Sequence, residues 1–395
     1  MPLDRDVGGR LDRRGTRRPG RGPTVLLAGV LVLTRIPVVS AHEATATGGI
    51  TQDHGVALAL VGVAVLVGSA ALKRGNHVRP TPALYGVFVG IALAALGTIL
   101  FEGLSPDPTY TAQSMPFARS WYQPLALSVG TAVAVGSVLV GRIRWPSRPR
   151  YALLGALMGL WIAYPYLIPG PASETHPLGY AIVLATPVLV GYVLWVDAGD
   201  ALRSTLRDPV ARRFGLGTAV VLLLFFFGVT GYLSFFPEEG APHEITVAVL
   251  PTIYQLVSWP TLEIAIPHIP LFLAVSPGQV VILGTLSGLI GLNGALIARQ
   301  WRTEVGAGLT EGTAGSAAIV GTCTCGCCGP LAAKIAALVA GPAIAAPLYW
   351  LFVDPMSPLS ALFVVGSLLL FAGSIVYSVQ SAREPDLSVT VPSSD

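Results

Sequence analysis

The run GVALALVGVAVLVGSAAL, Gly55–Leu72, holds 18 residues without one charge and ends abruptly at Lys73-Arg74. At 1.5 Å per helical residue it covers about 27 Å, close to the ~30 Å hydrocarbon core of a bilayer. It therefore reads as a membrane-crossing helix whose basic flank stays in water. The rest of the chain repeats the pattern. Of 395 residues, 53% are apolar and 11% charged, whereas soluble proteins carry roughly a quarter charged residues. Mean hydropathy is +0.67. This composition excludes a soluble globular enzyme, a disordered chain and a coiled coil.

Eight further runs have the length to cross: Thr81–Phe101, Gln123–Val140, Tyr151–Ile168, Leu178–Val196, Gly215–Phe236, Gln279–Ala298, one within Leu331–Val353, and Leu359–Val379. The expected fold class is all-α, a polytopic transmembrane helix bundle of about nine spans. Before it, residues 1–41 carry an arginine-rich start, an apolar run at Thr24–Leu33 and small residues at Val39-Ser40-Ala41. This pattern marks a secretory signal peptide or an uncleaved signal anchor. Residues 42–382 form the single multi-pass membrane domain, and the polar tail 383–395 is expected to be disordered.

The arginines set the threading. The alternate loops expected inside hold Lys73, Arg74 and Arg79; Arg142, Arg144, Arg148 and Arg150; Arg203, Arg207, Arg212 and Arg213; Arg299 and Arg302. Those expected outside hold only Arg119. Positive charge resists translocation, so the protein belongs in the cell membrane, with the mature N-terminus outside and the C-terminus in the cytoplasm. The net charge of +3 implies no nucleic acid, and no phosphate-cradling motif implies a nucleotide.

Residues 237–278 are proline-rich and contain no Lys or Arg. Two apolar halves of about 15 residues, short for a span, point to an outer pair of re-entrant or interfacial segments turning at Trp259-Pro260, or to two short spans. Gly86-x3-Gly90, Gly155-x3-Gly159 and Gly284-x3-Gly288 read as close helix contacts.

All four cysteines, Cys323, Cys325, Cys327 and Cys328, lie in the loop 322–330 ahead of Pro330. A continuous helix cannot bring four thiols at this spacing to one face, so the backbone is expected to unwind there. A helix N-terminus favours thiolate, and clustered thiolates suit a soft ion such as Cu(I). Lys334, one turn on, is expected to reach back to the inner surface, placing the cysteines inside. Five of the six histidines, His42, His54, His176, His243 and His268, fall outside or at the outer ends of spans. Cleavage after Ala41 would make His42 an N-terminal copper chelator. Glu263 is expensive to bury if its segment dips into the membrane. The candidate metal ligands are thus Cys323, Cys325, Cys327, Cys328, His42, His54, His243, His268 and Glu263.

These residues point to a membrane protein that handles a soft metal, copper first, by transport or by delivery to a membrane metalloenzyme such as a terminal oxidase. Two alternatives stand beside it. One is a membrane redox protein using a thiol pair, a quinone, or a haem held by His54 and His176. The other is a structural subunit of a membrane complex.

Overall fold

In a computed structural model of the chain, the described residues are 51–105, 115, 117–168, 170–235, 244–267, 271–303, 329–352, 354 and 357–381. The expected signal segment 1–41 and the tail 383–395 lie outside them.

The long helices are α1 (Gln52–Arg74), α2 (Pro80–Leu104), α3 (Tyr122–Arg144), α4 (Pro149–Leu167), α6 (Pro177–Arg207), α7 (Pro209–Val229), α8 (Pro277–Thr303) and α11 (Pro358–Ser381). The described residues also hold the short helices α5 (Ala172–Thr175), α9 (Gly329–Ala340) and α10 (Pro342–Phe352). Among the described residues seven helices are long and apolar enough to cross a membrane: α1, α2, α3 with its preceding turn, α6, α7, α8 and α11. The chain is a helical membrane protein. The expected span at Tyr151–Ile168 is α4, a 19-residue helix with Met158, Trp161 and Tyr164 fully buried.

Proline and arginine punctuate the bundle. Helices α2, α4, α6 and α7 open on a proline, whose missing N–H has no intrahelical partner to lose there. Helices α1, α3, α6 and α8 carry Lys or Arg in the last turn, whereas α2, α4 and α7 have no basic residue there. All basic termini therefore gather at one end of the bundle, the basic end. There Arg302 pairs with Asp208, Arg150 with Asp197, and Lys73 stands 5.0 Å over the Trp301 ring. Cations at helix C-termini also complement the macrodipole.

The opposite end carries a feature the hydropathy runs do not predict. Among the described residues, β1 (Leu233–Ser234), β2 (Thr246–Tyr254), β3 (Val257–Ile266) and β4 (Leu271–Val275) form an antiparallel sheet in the order β1-β4-β3-β2. The proline-rich segment is thus neither a re-entrant pair nor two short spans, and the all-helical expectation holds for the bundle but not for this cap. The hairpin turns at Gln255-Leu256, not at Trp259-Pro260. Gln255 takes a positive φ of 59°, which a tight hairpin turn requires. Pro251 faces Pro260. Counted back from the closing pair Tyr254–Val257, this is a non-hydrogen-bonded pair, so neither missing N–H costs the ladder a bond. The hairpin tip is anchored: Tyr254, Leu256, Val257 and Trp259 are buried in the main core, and the Tyr180 hydroxyl donates to the Ser258 carbonyl. Helix α7 stops at Val229 rather than Phe236 because Gly231, at φ 77°, turns the chain into β1.

Glycines set the closest approaches. A Cβ on Gly97 would stand 2.3 Å from the Ala59 nitrogen, one on Gly62 2.3 Å from the Ala94 nitrogen, and one on Gly159 2.4 Å from the Gly130 carbonyl oxygen. Gly215 and Gly291 meet in the same way across α7 and α8. The expected contacts at Gly155 and Gly159 are present. Gly284 and Gly288 face open space and make no such seam.

Candidate functional site

The expected span within Leu331–Val353 is broken. At Gly341, with φ 86°, helix α9 ends in a left-handed residue whose N–H bonds the Ala337 carbonyl, and Pro342 starts α10. Both arms are tied to the sheet end. The Lys334 ammonium donates to Glu102 Oε1 at 2.8 Å and to the Glu102 carbonyl at 3.0 Å, and Glu102 lies in the last turn of α2. At the other arm, Asp354 stands 3.6 Å from Arg119, which precedes α3. Hydroxyls of Ser357 and Ser360 donate to the Leu351 and Phe352 carbonyls, satisfying the open C-terminus of α10. The α9–α10 pair thus enters from the sheet end and returns to it.

This placement corrects the expectation for Lys334. Its charge does not reach the basic end; it is buried, with 9% side-chain exposure against 13% for Glu102. An ammonium in so dry a site persists only with a carboxylate partner, and Glu102 supplies one.

The proposed ligands are distributed unevenly. Cys323, Cys325, Cys327, Cys328, His42, His243 and His268 lie outside the described residues. His54 sits in the first turn of α1, where its Nδ1 accepts from the Thr51 amide at 3.1 Å and lies 2.8 Å from the Thr51 hydroxyl. That is a capping role, made through Nδ1. His176 likewise caps α6, accepting from the Leu178 amide at 3.2 Å, so the pair suggested for a haem is engaged at two helix starts. Glu263 is half-buried on β3 between Ala248 and Ala274. Among the described residues no three His, Cys, Asp or Glu side chains come together as a metal-binding group.

The structure adds groups the sequence reading passed over. Asp197, in the last third of α6, is buried and receives a two-pronged contact from Arg150, whose Nε reaches Oδ2 at 2.7 Å, with Arg148 at 3.9 Å. A carboxylate directly abutting the apolar run Leu178–Val196 was the available signal, since ionisable groups in spans are expensive unless paired. Glu102, next to the run Thr81–Phe101, gave the same signal. Asn293 bonds between helices: its Nδ2 donates to the Phe371 carbonyl of α11 at 3.2 Å.

No family model, no curated protein and no solved structure matches this chain.

Proposed function

We propose that the protein is a polytopic cell-membrane protein that handles a soft metal ion, copper first, through its cysteine cluster. The observation that carries this reading is the sequence of Cys323, Cys325, Cys327 and Cys328, four thiols within six positions directly ahead of α9. Thiolates at this density prefer Cu(I) or another soft ion to the hard cations that carboxylates bind.

The basic end faces the cytoplasm on the charge argument, which leaves the mature N-terminus outside and the C-terminus inside. Lys334, six residues after Cys328, pairs with Glu102 at the opposite end. Capture is assigned to the outer side, with His54 and Glu263, and the cysteine cluster receives or holds the ion. Metal captured there passes into the membrane or on to a membrane metalloenzyme such as a terminal oxidase.

Metal analysis of the detergent-purified protein, paired with a C323S/C325S/C327S/C328S variant, tests the reading. Stoichiometric copper in the wild type that the variant loses supports it; wild type without bound copper after loading with Cu(I) refutes it. One alternative is a membrane redox protein using a thiol pair. That reading requires thiols that label with maleimide only after reduction and hold no metal.

A further inference from the structure

Two apolar grooves flank one aromatic pair at the basic end. The rings of Trp145 and Tyr151 pack edge to face with centroids 5.4 Å apart. On one side a cavity of 340 Å³ runs along α11 from Gln380 to Leu369, against Leu154 and Val193. On the other a cavity of 390 Å³ runs along α3 from Gly141 to Ala132. Both include Trp145 and Tyr151 in their walls.

Their depth is informative. Leu369 to Gln380 spans about 16 Å of helix and Ala132 to Gly141 about 14 Å. Half of a bilayer's hydrocarbon core is about 15 Å. Each groove is therefore one leaflet deep, open at the level where Trp and Tyr settle at a membrane interface.

The rim supplies charge. Arg142 and Arg144 are exposed, and Arg148 donates to the Tyr151 hydroxyl at 3.3 Å. Arg150 is committed to Asp197. Four arginines stand against one carboxylate, a net +3 over the mouths of two hydrocarbon-lined slots.

We infer that this is a binding site for one two-chain anionic lipid, its acyl chains in the two grooves, its headgroup on the arginines and its glycerol region over Trp145 and Tyr151. The occupant is a lipid rather than a soluble metabolite because the walls are apolar over a full leaflet depth. It is two-chained because the grooves are paired, and anionic because the rim is cationic. A basic residue near an anionic lipid headgroup contributes about 1 kcal/mol, roughly five-fold in affinity. The inference is independent of the metal reading.

Two glycines make the test clean. Gly136 lines the α3 groove and Gly373 the α11 groove, and a Cβ at either meets nothing within 4 Å. Gly136→Leu and Gly373→Leu therefore plug one groove each without a clash. Gly191→Leu, also facing open space but lining neither groove, is the control. Native mass spectrometry of the full-length protein in detergent, with phosphatidylglycerol, phosphatidylcholine and lysophosphatidylglycerol in turn, reads out occupancy. Wild type and Gly191→Leu are expected to retain one phosphatidylglycerol at least about ten-fold better than the other two lipids. Each plug lowers that retention about ten-fold or more, and Arg142→Gln/Arg144→Gln abolishes the headgroup preference. Thermal unfolding in lipid-free detergent checks that the variants fold as the control does. Undiminished retention in either plug, or equal retention of the two diacyl lipids by the wild type, overturns the inference.

Discussion

Replacing Gly97 by leucine should detach α1 from the bundle. The Cβ would stand 2.3 Å from the Ala59 nitrogen, 2.7 Å from the Gly55 carbonyl oxygen and 2.8 Å from the Ala59 Cα. All three are backbone atoms, so no side chain can rotate away, and reaching ordinary contact requires the helices to part by about 1 Å or more. A gap of that size forfeits roughly a quarter to a half of each dispersion contact it opens. Helix α1 has little else to hold it, since its buried residues are Gly55 and Gly62, both on the same seam. Overpacking costs about 1–3 kcal/mol; against rigid backbone the upper value applies, offset by about 0.8 kcal/mol of helix propensity. The net destabilisation is about 2 kcal/mol. Gly68→Leu, on α1 with nothing within 4 Å, should instead gain about 0.8 kcal/mol. The two variants should differ by about 3 kcal/mol, more than 100-fold in the unfolding constant. Titration of the detergent-solubilised protein with dodecyl sulfate, followed by circular dichroism and by proteolysis of the 75–79 loop, measures the difference. If the two variants agree within about 0.5 kcal/mol, the glycine seam is not what holds α1.

The ion pairs and the interhelical amide make three further predictions for the same unfolding titration. Lys334→Met should destabilise by about 3 kcal/mol by stranding the Glu102 carboxylate, and adding Glu102→Gln should restore most of it; additive losses would refute the pairing. Asp197→Asn should cost about 3 kcal/mol because Arg150 then lacks its counter-charge, and a neutral result would place that guanidinium in water. Asn293→Ala should cost about 0.6–1.7 kcal/mol, the range of interhelical hydrogen bonds in membranes, and a Phe371 amide-I band unchanged on isotope labelling would show that the bond does not form.

The spans were legible because their signal is local. Gln52–Arg74 and Pro80–Leu104 follow the hydropathy runs within a few residues, bounded by basic side chains and helix-starting prolines. The sheet was not legible, because apolar stretches of about 15 residues carry the same hydropathy as short helices. The pairing of Pro251 with Pro260 across the ladder depends on register, which no local window contains. Glycine spacing misled in the same way: Gly284-x3-Gly288 matches the small-residue motif as well as Gly155-x3-Gly159 does, yet only the second meets a neighbour.

The amino-acid order alone determined that the chain lives in a membrane, that its arginines sort to one end and that its thiols form one cluster. Hydrophobic length, charge placement and composition act residue by residue and need no partner. Only the tertiary structure decided that Lys334 meets Glu102 rather than the basic end, that α9 and α10 break and return, and that His54 and His176 cap helices. Those outcomes depend on which buried charge finds a counter-charge across the bundle, a long-range choice among neighbours more than 200 positions apart for Glu102 and Lys334.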